Sequence, residues 1–459
     1  MTDPKDQDGR VARPGEQAYD VATRVFNLAA PARPAAAVTA RTAEQVRSAI
    51  RHAIKHGMSV RVHSTGHASA TASPMEGALL IRTALSEEVR IDEERRVARV
   101  PAGRTWRDVV EAAAPYGLAA PHGTSPTVGV VGYVLRGGMS FYSRHVGLAA
   151  NSVTAVELVD AGGRLRLVTR ESDAELFWAL RGGGGGFGVV TAVEIALFPV
   201  TGVITGAAYW SAAYAPRLLS AWLRWTDEAP TEAGTSLRMM NLPSLPEIPS
   251  ALTGGPVVCV AGAVFAEPPD SLDQAVRRAG DLLGPLRTVA EPLLDTWAPG
   301  TPTSVLDAHD DPTEPVAVLG DHLLLRDLPA TGAAAFLRAV AGDSGSPLVA
   351  AELRQLGGAA SSPHPAGGAL DHLDARFAFM AAGLPGGTGS AQSIMDHCAT
   401  VRAALAPWDT GRTAPTFVEN REQPQGHLDA DRRRSVELLR TRVDPQGRFS
   451  GDVLPDVDA

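Results

Sequence analysis

Lysine is almost absent from this chain of 459 residues; only Lys5 and Lys55 occur, and arginine carries the rest of the positive charge. With abundant Ala, Gly, Pro and Asp, that bias points to a GC-rich bacterial genome and is silent on mechanism. Cysteine is as scarce. Cys259 and Cys398 are too few for a disulfide framework and form no C-x-x-C, so both are expected as buried free thiols. No His-Glu-x-x-His spacing occurs, and no metal is expected. A net charge of −9 argues against nucleic acid, which needs a basic face. No apolar run reaches the ~20 residues of a membrane span. Met1 to Gly15 is polar, so a frayed tail rather than a signal peptide is expected there. The resulting reading is a cytoplasmic protein without a membrane partner, monomer or homodimer.

What is present is a globular composition, 44% hydrophobic and 20% charged, long enough for two or three domains. Strands are expected at 36–40, 60–62, 79–81 and 97–100. Thr42 opens a helix with apolar Val46, Ile50, Ala53 and Ile54 at helical spacing, and Thr105 opens another through Ala114. Further on, strand-like runs at 257–261, 348–354 and 376–380 alternate with helical stretches at 272–283 and 331–340. Pro-rich loops fall at 242–249 and 362–366, and a charged helix runs from Asp429 to Arg442.

Two segments carry chemistry. The strand Met58 to Val62 opens into His63-Ser64-Thr65-Gly66-His67-Ala68. A turn of small residues after a strand lets backbone N–H groups converge on one spot, a nest suited to phosphate. The imidazole of His67 ends that turn and is held close to whatever the nest binds. The second segment, Gly123 to Gly138, has five glycines among its sixteen residues, which permit close backbone approach to a ligand. A third run, Gly182 to Gly188, contains a G-x-G-x-x-G spacing. A dinucleotide fingerprint follows a strand and opens a helix. Here Asp173 to Leu180 reads as a helix and Phe187 to Leu197 as a strand, so the order is reversed. Without Gly-Lys-Ser/Thr it is no P-loop either. Gly342-Asp343-Ser344-Gly345 imitates a serine-protease nucleophile, but a helix-to-strand turn explains it better.

These segments together resemble the berberine-bridge-enzyme-like FAD-linked oxidases, flavoproteins with a PCMH-type FAD-binding domain. His63 to His67 stands where that family reads Arg-Ser-Gly-Gly-His. Gly123-Thr124-x-x-Thr127-x-Gly129-x-x-Gly132 matches its second motif, and Asp173 to Thr191 matches its Asp-Leu-Phe-Trp-Ala-Leu-Arg-Gly run almost without a gap. Departures are Arg136 and Ser140 for glycines, and Asn151-Ser152 for the usual Asp-Asn. The likeness is good over 18–200, moderate over 411–450 and weak between. It implies an α+β fold, a two-part FAD-binding domain plus a substrate domain whose antiparallel sheet is backed by helices. The implied division is 1–31 as tail and lead-in, 32–200 as FAD domain, 201–410 as substrate domain, and 411–459 returning to the FAD domain.

The same resemblance implies FAD bonded through His67 to its 8α-methyl. Some members carry a second bond through a Cys where this chain has Ser125, so a single bond is expected. Contacts to FAD are implied for His63, Ser64, Thr65, Gly66 and Ala68. They are implied also for Gly123, Thr124, Ser125, Thr127, Gly129, Gly132, Tyr133 and Gly137, and for Val190, Phe417 and Glu419. Val128 lines the approach of dioxygen to the flavin in the family. Phe417 stands at a frequent family Tyr and cannot ionise. The base is therefore sought among Tyr133, Tyr142 and Glu352, with Glu419 a further neighbour. Glu352 shares a strand face with Arg354 and should have a raised pKa beside an apolar flavin face. The function implied is an oxidase of a small organic molecule, a secondary metabolite or sugar-like alcohol, releasing hydrogen peroxide. A flavin-bearing non-redox cyclase or isomerase, or a flavoprotein that sequesters a ligand, stands as the alternative.

Overall fold

Three of the four sheets among the described residues organise the chain in this computed structural model, which describes residues 9–246, 248–423 and 426–451. The first sheet has three parallel strands, Ala36–Ala40, Ala78–Thr83 and Ser59–His63, in that order. Between the outer two runs the helix Ala43–His56. Thr42 caps it by accepting the Gln45 N–H, and Gly57 ends it in a left-handed conformation. Val46, Ile50 and Ala53 are fully buried against the sheet, whereas Ile54, expected on the same face, lies on the exposed shoulder. In parallel sheets, ligands bind at the carboxyl ends of strands. His63 to His67 leaves such an end.

The second sheet orders Arg90–Asp92, Val97–Pro101, Val189–Ala196, Val153–Val159 and Leu165–Val168, all antiparallel. The helix Ala174–Leu180, capped by Asp173, precedes its central strand. The glycine run thus ends a helix and leads into a strand, as its order in sequence implies. It forms a socket for Arg440 of the helix Ala430–Val443. Arg440 Nη2 donates to the Gly183 carbonyl at 2.6 Å and Nε to that of Gly185 at 2.9 Å. A Cβ on Gly186, where φ is +98°, would sit 2.7 Å from Arg440 Nε. Beyond that helix the Val60 N–H donates to the Arg448 carbonyl, and Phe449 buries beside Val60 and Leu79.

The third sheet is antiparallel and spans Gly202 to Gly383, in the order Leu294–Asp295, Gly202–Ser211, Val257–Ala266, Ala233–Met240, Ala350–Gln355, Phe377–Gly383 and Leu319–Leu325. Trp210, Leu237, Met239, Val258, Val260, Leu353 and Phe379 all point to one side. There they meet Trp222, Leu282, Phe336 and Ile394 of the helices Ala215–Glu228, Leu272–Val289, Ala330–Val340 and Ala391–Leu405. Each such side chain, fully buried, contributes about 1.5–3 kcal/mol. Period-two alternation turns the intervening residues the other way, toward the first half of the chain. Contact there is close. A Cβ on Gly234 would lie 1.9 Å from the Phe141 carbonyl oxygen, so only glycine fits that strand position.

The N-terminal segment is no frayed tail where it is described. Ala12 is buried and exchanges backbone hydrogen bonds with Ala37, extending the first sheet. Residues 1–8, also expected as tail, lie outside the described residues, as does Pro424. Cys259 and Cys398 are buried and unbridged. Among the described residues no helix is long and apolar enough to cross a membrane.

Candidate active site

His67 is positioned by contacts on three sides. Gly66 takes φ +78°, and a Cβ there would fall 2.6 Å from Val25 Cα, so the turn presses on the N-terminal segment. From that segment Phe26 stacks on the His67 ring, 3.7 Å between centroids and 14° between planes. His67 Nε2 hydrogen bonds Thr127 Oγ1 at 2.9 Å, and Ser125 Oγ lies 3.3 Å from the same hydroxyl. Burial pushes the imidazole down to about 4, against the opposing pull of Asp311 and Thr127, so it is neutral at physiological pH. Gly129 brings the second loop against the first; a Cβ there would meet Ser64 Oγ at 2.4 Å.

Other implied contacts fall around this junction. Ala68 starts a short 3-10 turn. Gly123 lies against the Tyr133 ring, and Gly132 sits in the helix Val130–Leu135. Gly137 is pressed against Leu370, and Val190 is buried in the central strand opposite Leu158. His63 departs from expectation. Its Nε2 bonds the Ala22 carbonyl at 2.8 Å, so the imidazole serves the N-terminal segment.

Above the two loops the third sheet presents a polar row. Across successive strands Tyr209 pairs with Cys259, Cys259 with Arg238, Arg238 with Glu352, Glu352 with Met380, and Met380 with His322. Glu352 therefore faces the loops, as expected, and is ion-paired with Arg354 Nε at 2.7 Å. The guanidinium of Arg354 lies over Phe141 and Phe417, 5.1 and 4.8 Å from their ring centres. The raised pKa expected of Glu352 is corrected. Burial raises it, but Arg354, His309 and Arg238 outweigh burial and hold the carboxyl below its usual range.

Neither tyrosine is poised as a base. Tyr133 donates its hydroxyl to the Met139 carbonyl, and burial raises its pKa. Tyr142 is wholly buried among Phe198, Phe265 and His122, with its pKa likewise raised by burial.

Residues 34–169 match the FAD binding domain family. The match covers less than a third of the chain, and it is to an FAD binding domain. The (R)-6-hydroxynicotine oxidase of Paenarthrobacter nicotinovorans is 33% identical over 190 residues, 41% of this chain and 42% of that protein. The chain thus spans under half the length of that curated relative in the match. Two solved structures share the whole fold. A variant of BBE-like 1 from Physcomitrella patens superposes with a TM-score of 0.81 at 19% identity, over 97% of this chain and 96% of the other. The 6-hydroxy-D-nicotine oxidase from Arthrobacter nicotinovorans gives 0.79 at 23%, over 98% of each. The chain therefore shares the whole fold of these two solved structures, helix-backed sheet included.

Its residues fit the cofactor. Among the described residues, the amides of Thr65, Gly66 and His67 on one loop donate to no group in the chain. Nor do those of Thr124, Ser125, Thr127 and Gly129 on the other. Undonated amides converging from two loops are what a pyrophosphate and a flavin edge require.

Several residues of this site carry no sequence signal. Phe26 and Asn27 come from the lead-in. Asn27 Nδ2 donates to the Val318 carbonyl at 3.0 Å and reaches Glu419 Oε2 at 3.4 Å. Burial raises the Glu419 carboxyl to about 7, although Arg136 and Asn27 act to lower it. Its folded pKa lies above its unfolded one. Folding therefore favours the protonated acid, and stability is lost as pH rises from the unfolded value near 4.5 through 7. Replacing Glu419 with Gln should leave thermal stability unchanged at pH 4.5 and raise it at pH 8, by up to about 3 kcal/mol before solvent screening is discounted. Melting curves of both proteins across that range check the sign; a gain at pH 4.5 would contradict it.

Proposed function

We propose that this flavoprotein is an oxidase of secondary metabolism that removes a hydride from an alcohol- or amine-bearing carbon of a small organic molecule and passes the electrons to dioxygen, forming hydrogen peroxide. The observation that carries this reading is the buried, neutral His67 imidazole at a strand end, hydrogen-bonded to the loop whose Thr124 reaches Asp311. Bound FAD supplies a two-electron acceptor at N5. The chain supplies everything else. Backbone amides of both loops hold phosphate and the flavin edge. His67, with Nε2 hydrogen-bonded to Thr127 Oγ1, offers Nδ1 for a single covalent tether. Ser125 provides no second thiolate. The row from Tyr209 to His322 orients the substrate. Phe417, with no ionisable group, lends the non-redox cyclase or isomerase reading its only support.

The test is anaerobic mixing with D-glucose and with (R)-6-hydroxynicotine, followed by air. Bleaching of the visible flavin band, then one peroxide formed per dioxygen consumed, is expected from one of these chemical classes. A flavin that light and a sacrificial donor can reduce, but no alcohol or amine can, would end the oxidase reading.

Val128 is partly buried next to Thr127, and its carbonyl accepts the Trp106 N–H. On the proposed reading it borders the path of dioxygen. Val128→Ile adds one methylene to a close-packed wall. It should slow reoxidation of the reduced protein roughly tenfold, about 1.4 kcal/mol of barrier, and leave reduction unchanged. Stopped-flow mixing with oxygenated buffer checks it; equal reoxidation rates would make Val128 mere packing.

A further inference from the structure

Phe417 leaves the cleft without the expected phenol, and Glu352 is committed to Arg354. A third group stands beside them. His309, Asp310 and Asp311 form a tight turn between the third sheet's strands, with Asp310 in the left-handed region at φ +52°. That turn sends His309 and Asp311 into the same space. His309 Nε2 lies 2.8 Å from Ser236 Oγ on the strand Ala233–Met240, and Nδ1 lies 3.6 Å from Asp311 Oδ1. Asp311 Oδ2 accepts a 2.7 Å hydrogen bond from Thr124 Oγ1, in the loop that carries Ser125 and Thr127. A continuous chain of polar groups thus joins the FAD-binding loop to the sheet above it.

The surroundings fix the roles. Arg238 Nη1 donates to the His309 carbonyl at 3.1 Å and anchors the turn. Phe141 packs its edge against the imidazole, 5.3 Å between centroids. Glu352 Oε1 is 4.0 Å from Nε2. Burial raises Asp311, but His309, Arg238 and Thr124 more than reverse it, so Asp311 stays ionised. Burial and Arg238 keep His309 neutral despite its two carboxylates. An anion beside Nδ1 places the ring proton there and leaves the Nε2 lone pair toward Ser236. Catalytic hydrogen bonds commonly tighten when substrate binds.

We propose that Ser236, His309 and Asp311 form the proton-accepting relay of the oxidation. Resting on the oxidase reading, the step balances as follows. The substrate C–H bond breaks and its hydride, with two electrons, goes to the bound flavin. The substrate O–H or N–H bond breaks and its proton passes to Ser236 Oγ. The Ser236 proton moves to His309 Nε2, and C=O or C=N forms. Asp311 is a positioning residue that stabilises the resulting imidazolium. Ser236 lies mid-strand, paired with Ala261 and Arg354. It does not stand on the strand-to-helix elbow that exposes a hydrolytic serine.

Two measurements decide it. The first needs no turnover. In holoprotein labelled with 15N-histidine, with His309 assigned by its absence from His309→Gln, the resonance should report a neutral ring protonated on Nδ1. Asp311→Asn should shift that tautomer balance. A proton resident on Nε2 in the unaltered protein would overturn the relay, whatever the enzyme oxidises. The second is anaerobic flavin reduction by whichever of D-glucose or (R)-6-hydroxynicotine reduces the unaltered protein. His309→Gln should slow it by ~10²–10³-fold and abolish the pH dependence of the rate, in the range for loss of a general base. Ser236→Ala should cost ~10-fold and keep that pH dependence, because water can replace a hydroxyl. Reduction of His309→Gln within threefold of normal would exclude the relay while leaving the oxidase reading intact. Failure of both probes to reduce the unaltered protein would count against that reading, and the tautomer still judges the relay.

Discussion

Replacing His67 with Ala should convert a protein whose yellow colour survives acid precipitation into one that sheds it wholly to the supernatant. The change is all or none because one bond is at stake. On the proposed tether, Thr127 engages Nε2, Nδ1 is the tethering atom, and Ser125 offers no thiol for a second bond. FAD should still bind the variant, since the phosphate contacts are backbone amides that the substitution does not remove. It should bind less tightly, because Phe26 loses the ring it stacks on. Absorbance of the washed precipitate and a flavin-bearing peptide containing His67 are the readouts. A colourless precipitate from the unaltered protein would rule out the tether and leave FAD binding untouched.

The second large effect concerns stability. Glu352→Ala removes the carboxylate that Arg354 holds at 2.7 Å, in a site where both side chains are almost wholly buried. Breaking a buried pair from one side leaves an uncompensated charge and costs about 3–5 kcal/mol. Arg238, whose Nη2 contacts the sulfur of Cys259 at 3.4 Å, loses a counter-charge as well. The sign with pH follows from the lowered Glu352 pKa. The contribution is complete above the carboxylate's unfolded value and fades as pH falls through the folded one. Urea unfolding at pH 7 should therefore separate the two proteins widely, and the gap should narrow toward pH 3. A gap that stays constant with pH would mean lost packing rather than lost charge.

How much of this could be read from the chain depends on distance along it. His67, Gly129 and the glycine run were legible because their geometry is local: a strand end, a close approach, a helix stop. The same-face pairing of Glu352 with Arg354 was legible from period two. The row from Tyr209 to His322 was not, since its members lie on six strands whose register no local pattern specifies. Tyr133 and Tyr142 looked eligible in a motif, yet packing gave one a backbone acceptor and buried the other. His309 and Asp311 sit in the stretch where the family likeness is weakest, and no spacing links them to Ser236 or Thr124. Asn27 and Phe26 were missed because the lead-in offered no period, although its Phe26 stacks on His67.

The Arg440 socket has a consequence for how the protein is made. The guanidinium that fills the glycine run and the backbone that closes the edge at Val60 both follow the whole helix-backed sheet in the chain. A ribosome therefore finishes the sheet at Gly383 before it emits the residues that complete the half beneath. During that interval the glycine run lacks Arg440 and the Val60 edge lacks Arg448. The glycine run and the Val60 edge are thus complete only once residues 440–449 have been made.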